Sequence, residues 1–459
     1  MSSSRVLRAL AVGVILVLAL FLRLEHNSST PYKAVNDAGT YNRLAGMVAQ
    51  HGDYATGDAP GDGVVGSRGP TAYFPPGFPY LLAVADLIDG HQSGHKAAIA
   101  GERAEMAVLG TVSVALIGLV AAEAFGGVIA LVAMLLAAVY PVFIALSGTL
   151  VAENLVVPLE LLAAWAGLRA RRSGRPLAWL AGAGGFIGLA TLTHQNAIVL
   201  LLPLSFAAAV AIRAQRPGPE PRVQRPGPEP GPPARPRRGR TPAAITLMSA
   251  AAALAIAPWT IRNAAELHAF VPVSTETGVT LVGTYNAESA GFAPVPYKWR
   301  FVITLPEDRR LLRHAGSLDE VQLSDRLTSQ ALSYISAHPA APLQAGWHNF
   351  TRMLELEGSY AWHASGAAIG LSAGTARTGV IGFWILGVLA LIGALTPAVR
   401  RGPLWLWGFP LLMALTVVFV NVETPRFREP VDPFLVLLAA CALGSVVERV
   451  LGRRGTWTA

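Results

Sequence analysis

Seven side chains pair a reactive chemical type with a place where such a side chain is costly to keep. Asp37 stands in Val35-Asn36-Asp37-Ala38-Gly39-Thr40-Tyr41, shortly after a long apolar run. A carboxylate at a membrane surface, followed by an aromatic-bearing helical stretch with Tyr41, suits a general base acting on a lipid-carried substrate. Glu153 lies near the outer end of another apolar run, where the positive end of a helix dipole favours an anion. A capping role is the structural alternative. Glu160 follows seven residues later, on the same helical stripe and about 10 Å deeper. Ionisable groups inside a membrane face a cavity or a partner; a hydrogen-bonded contact between helices is the other reading of Glu160. His194, in Thr193-His194-Gln195-Asn196, has no second histidine at ligand-like spacing, so it reads as a substrate contact or a polar turn residue and not as a metal ligand. Arg262 closes one apolar run, and Arg426 and Arg428 precede another in Thr424-Pro425-Arg426-Phe427-Arg428-Glu429-Pro430. The guanidinium fork matches phosphate oxygens. Pairing with Glu423, Glu429 or Asp432 is the competing use.

The elements that must position these groups are apolar helices. The 459 residues are 53% hydrophobic and only 14% charged, against about 25% charged in a typical soluble domain. Apolar runs reach the roughly 20 residues that cross a bilayer. The expectation is an all-α polytopic membrane protein of about ten transmembrane helices. They fall near 6–22, 103–122, 126–146, 150–169, 177–193, 197–212, 243–261, 378–397, 403–420 and 431–449. The first run ends in Arg23-Leu24-Glu25-His26 without a small-x-small cleavage site and reads as an uncleaved anchor. The one cysteine, Cys441, lies in an apolar run, which excludes an intrachain disulfide framework and a cysteine metal site. The formal charge of +8 comes from arginines clustered between spans, so it reports topology and not nucleic-acid binding.

Those clusters place one side inside. Arg5 and Arg8, Arg169 to Arg175, the arginines of 213–240, Arg400 and Arg401, and Arg449 to Arg454 all alternate onto the same face. Both termini are therefore expected in the cytoplasm, within the inner or plasma membrane. Residues 25–101, 263–376 and Glu423 to Asp432 lie outside. This gives an N-terminal transmembrane module, 1–212, carrying the catalytic first outer loop 25–101. A Pro/Gly/Arg-rich linker follows at 213–241, repeating Gln-Arg-Pro-Gly-Pro-Glu-Pro at 215–221 and 224–230. It reads as a disordered cytoplasmic spacer. The C-terminal module, 242–459, carries the outer loop 263–376. The prolines of Tyr73-Phe74-Pro75-Pro76-Gly77 open a short apolar segment to Asp89, read as an interfacial helix, with a second one over 38–50. Amphipathic stretches near 317–337 and 340–360 place Trp347, Phe350, Met353 and Leu354 on an apolar face for packing at the membrane surface.

In order and topology the chain resembles the glycosyltransferase C superfold, specifically the bacterial branch of protein O-mannosyltransferases and lipid A aminoarabinose transferases. The resemblance runs nearly end to end. It rests on Asp37-Ala38-Gly39-Thr40-Tyr41, Tyr73-Phe74-Pro75-Pro76-Gly77-Phe78-Pro79, Leu146-Ser147-Gly148 to Glu153-Asn154, Pro258-Trp259-Thr260-Ile261-Arg262-Asn263, Gly283-Thr284-Tyr285-Asn286-Ala287 and Arg426-Phe427-Arg428-Glu429-Pro430.

What the resemblance implies is transfer of a sugar from a polyprenyl phosphate to an acceptor hydroxyl on a glycan, lipid or protein, outside the cytoplasm. The lipid phosphate needs no acid to leave, and in-line attack inverts the anomeric centre. Asp37 matches the family's first-loop aspartate and would be the base; Glu153 matches its second acidic position and would orient acceptor or sugar, or help hold a divalent ion. Arg426, Arg428 and Arg262 would offset the phosphate's charge, with Tyr41 and His194 as further substrate contacts. Two departures bear on cofactors. His194-Gln195-Asn196 stands where some relatives carry an arginine or an acidic pair, and Glu153-Asn154 replaces the Asp-x-Asp used for metal. A divalent cation, Mg or Mn, is the sole cofactor left open, and not as a tightly bound ion. The rival from another class is a transporter or flippase of lipid-linked sugars; the charges cluster at one face and no inverted repeat is visible, which favours the transferase. A catalytically silent relative is the third reading.

Overall fold

In the computed structural model, residues 3–55, 69–88, 95–215, 240–306 and 319–450 are described. The expected apolar runs become helices: α1 (Ser3–Ser29), α4 (His95–Phe125), α5 (Gly127–Val139) with α6 (Pro141–Leu146), α7 (Glu153–Arg172), α8 (Pro176–Thr191), α9 (Leu201–Ala214) behind a 3₁₀ turn at Gln195–Leu200, α10 (Arg240–Glu266), α16 (Ala373–Ala394), α18 (Gly408–Val418) and α19 (Asp432–Val450). Among the described residues five helical stretches are long and apolar enough to cross a bilayer: Arg5–Ser29, Ile99–Phe125, Gln195–Ala214, Thr241–Glu266 and Ala373–Ala394. Gly127–Val139, Pro176–Thr191, Leu404–Val418 and Asp432–Val447 are apolar but shorter. The described residues form no strand beyond an isolated bridge between Ala55 and Pro70.

Local chemistry explains the breaks. The third expected span divides at Tyr140, since Pro141 cannot donate into the preceding turn and opens α6 at a position where its ring is tolerated. The α8 and α10 helices touch backbone to backbone. A Cβ at Gly184 would meet the Met248 carbonyl oxygen at 2.0 Å, and one at Gly188 the Ala252 oxygen at 2.6 Å, the small-xxx-small spacing that lets membrane helices approach. The main core joins α1, α4 to α9 and α16 to α19 through residues such as Ile117, Leu161, Ile187 and Phe434.

Two helices lie in the segment 25–101 between the first two apolar runs. They are α2 (Asp37–His51) and α3 (Gly77–Ile88), packed together through Tyr41, Leu44, Phe78 and Leu82. Tyr80, Val84, Leu87 and Ile88 stay exposed on α3, as suits a helix with one apolar face toward lipid. Residues 263–376 fold into α11 (Thr277–Thr284), α12 (Ala287–Ala290), α13 (Glu320–Ala337) and α14 (Ala341–Met353) around a small core of their own, followed by α15 (Ser359–Ala368), with α17 (Pro397–Arg401) following α16. The expected apolar face of α14 divides: Trp347 and Phe350 point outward, whereas Met353 packs on Val417, Val418 and Val422 near the end of α18. Asp58, Asp62, Asp89, linker residues 216–239 with nearly all of both repeats, and Arg453 and Arg454 lie outside the described residues.

Candidate active site at the Asp37, Glu153 and Arg426 cluster

Asp37 opens α2 and Glu153 opens α7, so two carboxylates sit at helix N-termini, where the backbone dipole favours negative charge. Arg426 comes from a short 3₁₀ turn, Arg426–Arg428, just before α19. The chain brings the three together. Arg426 Nε donates to both carboxylate oxygens of Glu153 at 3.0 Å each, and Nη1 donates to Asp37 Oδ2 at 2.6 Å. Nη2 has only the Tyr41 hydroxyl, at 3.5 Å. Glu153 and Arg426 are buried, while the Asp37 side chain keeps 38% of its surface exposed. The guanidinium loses solvation, yet Glu153 and then Asp37 more than compensate and hold it firmly charged.

Each partner is braced. Asn36, before Asp37, adopts φ 53° and its amide donates to the Ala368 carbonyl oxygen at 2.8 Å; asparagine tolerates positive φ better than most residues. Tyr41 packs against Phe74 and Phe78 with ring centroids 4.7 and 5.2 Å away. The Gly77 amide donates to the Leu192 carbonyl oxygen at 2.7 Å, tying α3 to the turn that carries His194. That turn leaves no room for a side chain at Gly77, since a Cβ would lie 2.6 Å from Thr193 Oγ1. His194 Nε2 faces Glu153 Oε1 at 3.7 Å. Burial, ahead of the opposing influence of Glu153, lowers the His194 pKa and keeps the ring neutral.

A cavity of about 480 Å³ opens over this cluster, within the roughly 300–1,000 Å³ range of small-ligand sites. Asp37, Tyr41, His194 and Arg426 line it. Trp299 and Phe301, edge to face at 4.9 Å, form an aromatic wall, and Lys298 pairs with Glu423 at 2.7 Å on the lining. Glu276, just before α11, receives the Gln195 amide at 3.3 Å. Burial and then Asp37 push its pKa up to about 8, so it is protonated at neutral pH and can donate a hydrogen bond.

Of the residues singled out in the sequence, Asp37, Tyr41, Glu153, His194 and Arg426 converge here. Arg262 and Arg428 do not line the cavity. Arg262 donates to the Thr71 and Tyr54 carbonyl oxygens at 2.7 and 2.8 Å and lies over Trp259, joining α10 to the first outer loop. Arg428 is buried against Glu355 at 2.8 Å and Asp432 at 3.1 Å, with Phe383 beneath it. Glu160 is fully buried, and its carboxylate has no hydrogen-bond partner. Glu276, Gln195, Asn196, Lys298, Trp299 and Asn421 are cavity residues that composition and spacing did not single out. Glu276 lies in Thr275-Glu276-Thr277, polar loop residues that read like any other turn. Among the described residues no three His, Cys, Asp or Glu side chains are grouped to hold a metal ion. Asp37 and Glu153 both spend oxygens on Arg426, an arrangement that does not fit a divalent cation as it stands.

Known proteins agree with this architecture. The family of dolichyl-phosphate-mannose-protein mannosyltransferases matches residues 74–217, under half of the chain. The archaeal oligosaccharyltransferase AglB of Archaeoglobus fulgidus, in complex with an inhibitory peptide and a dolichol-phosphate, superposes with a TM-score of 0.50 at 15% identity, covering 100% of this chain and 53% of its own. An Archaeoglobus fulgidus oligosaccharyltransferase tethered to an acceptor peptide gives 0.52 at 16% identity, over 97% of this chain and 50% of its own. The chain has the glycosyltransferase C fold. It spans about half the length of these oligosaccharyltransferases. ArnT from Cupriavidus metallidurans, bound to undecaprenyl phosphate, matches at 14% identity over 99% of this chain and 79% of its own, but its TM-score of 0.42 is too weak to support the fold assignment. No curated protein matches the chain. Within this glycosyltransferase C fold the family match contains Glu153 and His194, whereas Asp37 and Arg426 lie outside it on either side.

Proposed function

We propose that this chain is a membrane glycosyltransferase that moves a sugar from a polyprenyl-phosphate donor to an acceptor hydroxyl. The observation that carries the reading is one arginine gripped by two carboxylates beside a ligand-sized cavity. Arg426 Nη2, with only a long contact to Tyr41, is the edge open to a donor phosphate. Asp37, the more exposed carboxylate, takes the acceptor proton as the acceptor oxygen attacks the anomeric carbon. The bond to the phosphate oxygen breaks, the phosphate leaves with its electron pair, and Arg426 offsets the charge that develops. Attack from the side opposite the phosphate inverts the anomeric centre. Glu153 holds Arg426 from beneath and is a positioning residue. The dolichol-phosphate in one oligosaccharyltransferase complex and the acceptor peptide in another are the kinds of lipid carrier and acceptor that this reading assigns here.

The same reading places the enzyme in the cytoplasmic membrane with both termini inside and the cavity on the extracytoplasmic face. The acceptor is a glycan, a lipid or a protein, and membrane lipids surround the two modules. The test is binding of a short-chain polyprenyl phosphate and, separately, of acceptor to purified wild type and Arg426→Gln. Lipid phosphate should bind about 10- to 100-fold more weakly to the variant, with acceptor binding little changed. An equal loss of both, or of neither, would contradict the phosphate role.

A further inference from the structure

A buried carboxylate behind the cavity ties two of its lining segments together. Glu320 opens α13 after the Asp319 cap, where the helix dipole favours an anion. Its side chain takes hydrogen bonds from two segments far apart in sequence. Oε2 accepts the Thr71 hydroxyl at 2.5 Å, and Oε1 accepts the Ala72 amide at 3.0 Å and the Thr275 hydroxyl at 2.6 Å. The Thr275 amide donates in turn to the Ala72 carbonyl oxygen at 3.0 Å. Thr71 Oγ1, with its proton on Glu320, accepts the Tyr73 amide at 3.0 Å. A carboxylate has only acceptors, so it fixes the direction of the Thr71 hydroxyl and leaves a lone pair for Tyr73. Ser324, one turn along α13, donates to the Thr275 carbonyl oxygen at 2.6 Å and receives the Gly278 amide at 3.3 Å. A Cβ at Gly278 would meet the Ser324 carbonyl oxygen at 2.2 Å, so α11 and α13 touch backbone to backbone. The first turn of α13 also joins two cores: Val321 packs with Tyr41 and Phe78, Leu323 and Leu327 with Val282 and Tyr285. Glu320, Thr71 and Thr275 are buried and do not line the cavity, whereas the residues that follow them, Tyr73 to Pro75 and Glu276 with Thr277, do.

We propose that Glu320 is a positioning residue of the cavity, holding the Tyr73–Pro75 wall and the Glu276–Thr277 wall in register from behind through Thr71, Ala72 and Thr275. The assignment rests on the transferase reading for what the cavity binds and adds a residue that acts on it without touching substrate. Glu276 reports on the clip. Burial and then Asp37 of α2 raise its pKa to about 8, with Glu153 of α7 raising it and Arg426 of the last turn lowering it. The charge of Glu276 also acts on Tyr41, Tyr54 and Tyr73. Once the clip is released, Glu276 gains water and its pKa falls toward the ordinary carboxylate range.

The experiment is a double-mutant cycle on the full-length protein, with stability measured by chemical denaturation from pH 5 to 9. Glu276→Gln is made in wild type and beside Glu320→Gln, and the pH dependence that it removes reports the titration of Glu276 in each background. In wild type that dependence should be a loss of stability continuing up to about pH 8. Beside Glu320→Gln it should end at least about one pH unit lower. Thr71→Val should act like Glu320→Gln and Thr71→Ser like wild type, an arm that stands if the Glu320 variant folds poorly. Binding of a short-chain polyprenyl phosphate at pH 7 should weaken about 3- to 10-fold in Glu320→Gln. A Glu276 titration that ends at the same pH in both backgrounds, with only a general loss of stability, would make Glu320 a structural clip and overturn the inference. Lipid phosphate that binds neither wild type nor variant would overturn the phosphate reading alone, and the cycle, which needs no ligand, would still decide the role of Glu320.

Discussion

At the scale of single residues, Arg426 sets the terms for its neighbours. With Nε on Glu153 and Nη1 on Asp37, removing either carboxylate leaves the guanidinium with one anionic partner, and removing Arg426 leaves buried Glu153 with only His194 at 3.7 Å. Replacing Asp37 by Asn keeps the shape and one acceptor oxygen but removes the base. Turnover should fall by about two to four orders of magnitude, with folding intact by thermal unfolding in detergent. Glu276 yields a pH prediction. Its folded-state pKa of about 8 lies above the roughly 4.3 of an unfolded glutamate. The native state therefore binds the extra proton between these values, and this residue's contribution makes stability fall as pH rises through that window. Above pH 8 its ionisation adds negative charge beside Asp37, and binding of an anionic donor should weaken by up to about tenfold per pH unit. Glu276→Gln should flatten both slopes, as read by chemical denaturation and by lipid-phosphate binding across pH 6 to 10. Asp37, Glu153 and Arg426 were legible in the sequence because charge beside apolar runs is costly and therefore conspicuous. Glu276, Asn196 and Asn421 were not, since a polar loop residue owes its chemistry to what folds around it. Arg262 and Arg428 share Arg426's side-chain chemistry and differ only in where their forks are spent, on backbone oxygens and buried acids.

At the scale of elements, the turn carrying Arg426 is locked from behind. Arg428 bridges Glu355 and Asp432; Asp432 also accepts the Tyr140 hydroxyl at 2.9 Å, and Glu355 accepts the Thr424 hydroxyl at 2.9 Å. Glu355 itself sits at φ 61°, a backbone conformation that costs a non-glycine residue about 1–3 kcal/mol and persists only where its surroundings enforce it. This network joins α6, the end of α14 and the start of α19 around the turn. Arg428→Met would leave two buried acids without their cation. It should lower the unfolding free energy by about 3–5 kcal/mol, measured by denaturant titration, and reduce donor binding by displacing Arg426. The α8–α10 contact makes a separate prediction. Gly184→Leu would drive a side chain into the Met248 carbonyl and should lower the melting temperature sharply, whereas the same change at Gly182, which faces open space, should be tolerated. The apolar runs were readable as helices from composition and length. The Tyr140 break was not separated from its span, because its cause is the local geometry of one proline.

At the scale of the whole molecule, one bundle of apolar helices carries two inter-helix regions, within 25–101 and 263–376, that meet over the cavity. The first supplies Asp37 and Tyr41, the second Glu276, Lys298 and Trp299, and the last turn Arg426. Arg169 and Arg172 lie at the far end of α7 from Glu153 and pair with Glu123 at 3.3 and 3.0 Å, part of the arginine clusters that the sequence carries between its apolar runs. That polarity is the basis for assigning the cavity to the extracytoplasmic face. A flippase would move its cargo across the bilayer, whereas a transferase converts it at one surface. The deciding measurement uses purified protein in sealed vesicles with radiolabelled polyprenyl-phosphate hexose and a membrane extract as acceptor source, wild type beside Asp37→Asn. Label passing to a new product with wild type, and at least a hundredfold more slowly with Asp37→Asn, is the predicted result. Labelled lipid that crosses the bilayer unchanged, equally with both proteins, would contradict the account.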